Sequence, residues 1–260
     1  MRQHIVFTLA APLASFGTVA VGERRPTWDR PSKSQVIGLV AAALGIQRAE
    51  EARLKTLAAE LGFAVRVDAV GSLAVDYHTA QAPKEASVRR RAQEAGPIRT
   101  RADELACDDL KTILSRREFR TSSLHTVALW RTAEGDPTVA HIAESLVEPA
   151  FVPYAGRKAH ALMLPMSPRV VAADRIEDAF EGYDKAMPED VAVLMDRLGI
   201  RGQQHRPIYC DVSAIPGHEQ AVRVARLEER RDLPESRAKW RFGLRTEALL
   251  RMPGNEGKVS

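Results

Sequence analysis

The chain has 260 residues, 45% of them hydrophobic and 28% charged, a balance that belongs to a globular protein with its own core and not to a disordered or fibrous one. Its 38 basic and 34 acidic residues leave a net charge of only +4, which permits a nucleic-acid partner but lacks the excess carried by a stand-alone nonspecific binder. The two cysteines, Cys107 and Cys210, are far apart and belong to no Cys-x-x-Cys or Cys/His cluster, which argues against a disulfide framework and against a zinc module.

The first residues, MRQHIVFTLAAPLASFG, have an apolar run that is short, contains Pro12 and leads into the basic GERRP. They read as a strand over residues 4–10 and a turn, not as a secretion signal. No run approaches a membrane span, so the expectation is a cytoplasmic protein with no membrane partner. Residues 18–31 show no period and read as a loop. A helix starts near Pro31, with Ser32 as N-cap and Gln35 completing a capping box. Val36, Leu39, Val40, Ala43 and Leu44 mark its buried face, and Gly45 its end. A second amphipathic helix spans 49–62 and stops at Gly62. From Phe63 the chain alternates as strands do, with Phe63, Val65 and Val67 on one side and Arg66 and Asp68 on the other.

TVALW, residues 126–130, is a further strand. It is followed by a helix with Asp136 as N-cap and Pro137 in its first position. Helical patterns recur over 174–183 and 188–198; RPIYCDVS and KWRFGLRTEALLRM read as strands, and residues 251–260 as a frayed tail. The order strand, helix, helical hairpin, strand, insertion, strand, helix points to an α+β fold, a ferredoxin-like sandwich of the RNA-recognition-motif type. A single domain over 1–250 is expected, with 166–250 its less defined part.

Between DYHT (76–79) and SRREF (115–119) lies a polar insertion. From Lys84 to Arg101 it carries six basic residues, Lys84, Arg89, Arg90, Arg91, Arg99 and Arg101, against Glu85 and Glu94. Such a segment packs little core of its own. It reads either as a solvated loop or as a protruding arm whose guanidinium groups grip phosphate. The helix start is a second candidate: free N–H groups, the Ser32 and Ser34 hydroxyls, and Arg24, Arg25, Arg30 and Lys33 around them suit an anion. Arg48, Tyr77, His78, Arg116, Arg117, Tyr154, Arg157 and Lys158 complete the set of RNA-contact candidates.

The blocks LAAPLASFG, RRPTWDRPSKSQVIGLVAAALGIQR, DYHT, SRREF, TVALW and PAFVPYAGRK, in that order, resemble the Cas-five family of RAMP proteins as found in type I-E CRISPR Cascade. The resemblance runs from residue 3 to about 165; the C-terminal third matches loosely. Phe16 stands where many relatives carry Trp. The resemblance implies an RNA-recognition-like domain with an inserted β-hairpin thumb, here at roughly 78–118. It also implies a non-catalytic role. The subunit caps the backbone filament, holds the 5′ handle of the CRISPR RNA, and adjoins the large subunit and, through it, the target DNA.

Type I-C relatives instead cut the repeat RNA, so a metal-independent endoribonuclease is the alternative. That chemistry needs a base for the 2′-OH and a cation for the phosphorane. His78 beside Tyr77 offers one pair, and His125, His160 and His205 with Arg157 and Lys158 offer others. Seven histidines in the chain are near background, and the carboxylates show no paired metal-binding pattern. Neither a phosphate-binding P-loop nor a dinucleotide fingerprint is present. No cofactor, metal or catalytic residue is assigned.

Overall fold

The structure, a computed structural model, describes residues 1–20, 22–200, 203, 206–236, 239 and 241–251. His205 and the tail beyond residue 251 lie outside the described residues. The chain runs β1 (Arg2–Ala14), β2 (Arg24–Arg25), α1 (Lys33–Ala43), α2 (Glu51–Glu60), β3 (Leu61–Ala69), β4 (Ser72–Pro83), α3 (Glu85–Ala95), α4 (Arg101–Leu105) and β5 (Leu110–Arg131). It continues through α5 (Val139–Val147), β6 (Arg169–Ala173), α6 (Ile176–Lys185), α7 (Glu189–Arg197), β7 (Ile208–Asp211), α8 (Gly217–Arg223), β8 (Val224–Ser236) and β9 (Arg241–Leu250).

The main sheet has the order β6-β1-β5-β3-β7-β9-β8, every neighbouring pair antiparallel. Strand alternation sends odd and even residues to opposite faces. Ile5, Phe7, Phe63, Val65, Val127 and Leu129 meet α1, α2 and α5 on one face. Val6, Ala64, Ala128 and Trp130 meet Ile176, Ala179, Phe180 and Tyr183 of α6 on the other, and α7 packs Val191 and Met195 beside Ala10 and Leu124. Helices therefore cover both faces of the central strands, and the expected two layers become three.

The short-range signals around α1 are realised as expected. Ser32 caps α1 with Gln35 in a reciprocal capping box, and Gly45, at φ +70°, follows its C-terminal turn. Gly62, expected to stop α2, instead lies inside β3, where a Cβ would overlap the Trp130 indole. The cap of α5 is Thr138, whose hydroxyl accepts from the His141 N–H, and not Asp136.

β5 has 22 residues and belongs to two structures at once. Its second half pairs with β1 and β3 in the core. Its first half pairs with β4 alone over most of its length, from Pro83↔Leu110 to Ser72↔Thr121, and the two strands leave the sheet as a ribbon. The polar insertion closes the far end of this ribbon and folds into α3 and α4. Thr100 caps α4, and the Lys84 N–H donates to the Asp109 carbonyl at 3.0 Å.

Candidate nucleic-acid interface

Four segments meet where β1 ends. The Ser15 N–H donates to the Ala155 carbonyl at 3.0 Å, and the Gln35 side-chain amide donates to the Ser15 carbonyl at 3.0 Å. Gly156 lies against the same carbonyl at φ +88°; a Cβ there would overlap it, so the close approach requires glycine. β2 lies parallel to β5 and sets Arg24 beside Arg116 and Arg25 beside Arg117. Arg157 reaches the same place and donates to the Glu118 carbonyl at 3.3 Å.

These segments leave a cleft of about 330 Å³ lined by Ser15, Gly17, Thr18, Ala20, Arg25, Pro26, Gln35, Arg117, Gly156 and Arg157. Burial and the neighbouring Arg117 charge both push the Arg157 pKa down, opposed by Asp76. Crowded cations of this kind are relieved by a bound anion. Arg24 is already engaged, its guanidinium on the buried Glu118 carboxylate at 2.6 and 2.8 Å.

The ribbon adds to one side of the cleft. Cross-strand pairing sets Tyr77 opposite Arg116, His78 opposite Ser115 and Asp76 opposite Arg117. The Arg116 guanidinium lies 6.0 Å from the exposed Tyr77 ring, and His78 Nε2 is 2.5 Å from the Asp76 carboxylate.

At the helix start Gln35 lines this cleft, but Arg30, Ser32, Lys33 and Ser34 do not. Arg30, Ser32, Lys33 and Ser34 are only 2–8% exposed. Arg30 donates to Glu247 at 2.6 and 3.1 Å and to Glu228 at 2.9 Å, with its guanidinium 3.5 Å from the Tyr209 ring centre. The Lys33 ammonium meets Asp211 at 3.0 Å, and the Lys33 N–H donates to Asp232 at 2.9 Å. Arg245 ties Asp211, Asp232 and Glu247 together. The helix N-terminus does hold anions, but they are the chain's own carboxylates, brought in by β7, β8 and β9. These four residues drop out of the candidate interface.

Other expected residues are dispersed. Arg48 and Tyr154 line an adjoining hollow of about 920 Å³ over α1, which shares Gly17, Thr18, Gln35 and Gly156 with the cleft and has Gly38, Phe151, Val152 and Phe242 among its walls. Lys158 is exposed on the loop that carries Arg157. Arg89, Arg90, Arg91, Arg99 and Arg101 lie at the far end of the ribbon. Arg89 pairs with Glu85 there, Arg90 with Asp108 and Arg101 with Glu104. Ser15, Thr18 and Gln35 are absent from the sequence-based set of contacts, Gln35 because it reads only as the partner of Ser32 in the capping box.

His125 is fully buried, and its Nε2 donates to the Asp29 carbonyl at 2.9 Å. Burial lowers its pKa, and it cannot reach a substrate. His160 is 7% exposed, its pKa lowered by burial and by Arg157. Of the candidate bases among the described residues, His78 is the one in the exposed arginine cluster. No helix of the described residues is long and apolar enough to cross a membrane.

The family profile described as CRISPR-associated protein (Cas_Cas5) matches residues 4–246. The chain belongs to this family. The match reaches β9 and takes in the C-terminal third, which the resemblance of the first 165 residues had left loose. Among relatives of this Cas_Cas5 chain, the CRISPR system Cascade subunit CasD of Escherichia coli (strain K12) is 28% identical over 193 residues, 71% of this chain and 78% of the relative. A solved structure titled "CRISPR RNA-guided surveillance complex" has a similar fold, with TM-score 0.59 and 22% identity, covering 95% of this chain and 90% of the other. Another, "Crystal structure of Cas protein", gives TM-score 0.55 and 22% identity over 96% and 95%.

Proposed function

We propose that this chain is a non-catalytic subunit of a type I-E Cascade, a CRISPR RNA-guided surveillance complex. It holds the 5′ handle of the CRISPR RNA and caps the backbone filament. Its neighbours are the filament subunit and the large subunit, with target DNA close by, in the cytoplasm. The observation that carries this reading is the convergence of Arg25, Arg117 and Arg157 on one open cleft. Guanidinium groups take phosphate oxygens in a two-pronged geometry.

The same reading assigns the fold. The strand order β6-β1-β5-β3, with α1 and α2 between its first two strands in sequence and α5 between its last two, is that of a ferredoxin-like, RNA-recognition-type unit. The β4–β5 ribbon with α3 and α4 is its thumb, at about 78–118. β7, β8 and β9 extend the sheet within one domain over 1–250. The arginines at the ribbon's far end contact RNA backbone outside the cleft.

The test is incubation of the purified protein with labelled repeat RNA in the absence of metal. Binding without cleavage is the expected result. Cleavage would establish the alternative, a metal-independent endoribonuclease, for which the contact between His78 and Asp76 beside Arg117 is the supporting geometry. No binding at all would remove both.

A further inference from the structure

We infer that the outer edge of β4 is a docking site for an extended segment of another protein subunit, which adds to the ribbon as a further strand. β4 pairs with β5 on one side and, among the described residues, with no strand on the other. Its 12 residues keep an unbroken register with β5 and carry one acid, Asp76, and no lysine or arginine.

The other edges of the sheet are built differently. β6 is only five residues long and starts at Arg169. β8 is longer but contains Arg226, Glu228, Arg230 and Pro234 and is broken by three register shifts. Short length, charge, proline and bulges are the devices by which folded proteins prevent strand addition. Two edges have them, and the stretch Leu73–Thr79 of β4 does not. Beyond it the edge closes, because Arg101 of α4 donates to the Gln81 carbonyl.

The chemistry of the occupant follows from the side chains beside that edge. Leu73, Val75 and Tyr77 share one face of the ribbon and are 51%, 36% and 68% exposed. Apolar side chains on the incoming strand would cover them. Arg116, opposite Tyr77, holds its guanidinium over that ring, 6.0 Å from its centre, so a carboxylate belongs next to the apolar positions on the same face. A second copy of this chain would bring another Arg116 instead, and like charges side by side disfavour it. The partner is therefore a different protein with an extended segment that carries apolar residues at every second position and an acidic residue at a neighbouring position on the same face. This rests on the chain belonging to a multi-subunit particle and not on any residue binding RNA.

The experiment is amide hydrogen exchange resolved to single residues over 73–79, measured on the chain alone, on the chain with repeat RNA, and on the particle assembled with the filament and large subunits. Strand addition slows alternate amides by tenfold or more in the particle and leaves them unchanged in the other two samples. Alternate protection in the chain alone that rises with its concentration would assign the edge to a second copy. Protection by RNA alone would assign it to nucleic acid. Unchanged exchange in the particle would leave the edge unoccupied. Each of these three overturns the proposal. The double variant Leu73→Lys/Val75→Lys supplies an independent reading. It should retain RNA affinity and far-ultraviolet circular dichroism while incorporation into the particle falls at least tenfold; unaltered incorporation overturns the proposal. Loss of RNA binding in wild type, with the protection pattern intact, would defeat the RNA reading and leave this one standing.

Discussion

The buried Glu247 carboxylate of β9 accepts two hydrogen bonds from the guanidinium of Arg30, 217 residues earlier, at 2.6 and 3.1 Å. Through this pair the last strand is tied to the loop that leads into α1. Both side chains are at most 2% exposed. Removing one partner strands the other charge in the interior, which costs about 3–5 kcal/mol. Glu247→Ala is therefore expected to lower the urea midpoint sharply. Arg53→Ala, which removes a guanidinium paired with Glu50 where both side chains are solvent-exposed, should lower it far less. Equal melting of the two variants would contradict the buried network.

The same cluster sets an acid limit. Burial pushes the carboxyl groups of Asp232 and Glu247 upward, but Arg245, Arg230 and, for Glu247, Arg30 outweigh it and hold both below their ordinary values. Depressed carboxylate pKa values contribute stability that is complete above the unfolded-state values, near 4, and lost as pH falls through the folded ones. Stability from this source should be flat from about pH 5.5 upward and fall below about pH 4. Glu247→Gln should reduce the steepness of that fall, read from urea melts across pH.

In the cleft, Arg25 and Arg117 are expected to act on RNA and not on folding. Arg25→Ala with Arg117→Ala should leave the melting temperature within a few degrees of wild type. RNA affinity should drop, and the slope of log affinity against log salt should flatten by about 0.7 for each phosphate of a single strand that is no longer neutralised. An unchanged slope would take these residues out of the RNA path.

Gly156→Ala probes the floor of the cleft. The left-handed backbone alone costs alanine about 1–2 kcal/mol, and the new methyl overlaps the Ser15 carbonyl. The loop carrying Arg157 must shift. Both stability and RNA affinity should fall, measured by thermal melting and filter binding, whereas Gly217→Ala, with open space around it and no left-handed backbone, should affect stability only slightly.

Residues 85–108 can be excised and replaced by a Gly-Ser turn, because the Lys84 N–H already bonds the Asp109 carbonyl. β4 and β5 then close as a simple hairpin. The expected outcome is a normally melting protein that assembles poorly on CRISPR RNA, followed by native gel. Normal assembly would make α3 and α4 a solvated cap; failure to fold would make them part of the core.

Features encoded within a few residues are directly legible in the sequence. The Ser32–Gln35 capping box is one, and the apolar face of α1 is another. Apart from the cap of α5, which is Thr138 and not Asp136, misreadings arise where the deciding partner is remote. Gly62 looks like a helix stop because nothing near it announces Trp130, 68 positions on. Arg30 and Lys33 look free because their acids, Asp211, Glu228, Asp232 and Glu247, lie about 200 residues downstream and arrive only when β7, β8 and β9 join the sheet. The third layer is hidden for a related reason: strands with both faces buried lose the clean alternation that marks an exposed side. Within the cleft, Arg25, Arg117 and Arg157 are legible as cations, but their convergence depends on the parallel β2–β5 pairing, which a two-residue strand does not advertise.

Because β5 passes from the core into the ribbon without interruption, it works as a ruler. Seven residues separate Arg117 at the cleft from Leu110 at the far end of the ribbon, a span of about 24 Å in an extended strand. The ribbon's length thus fixes how far the distal arginines stand from the cleft, independently of how either end is built. Adding a cross-strand pair to β4 and β5 would shift that distance by about 3.4 Å and turn the tip to the opposite face, so lineages could retune the reach without disturbing the groups at its base.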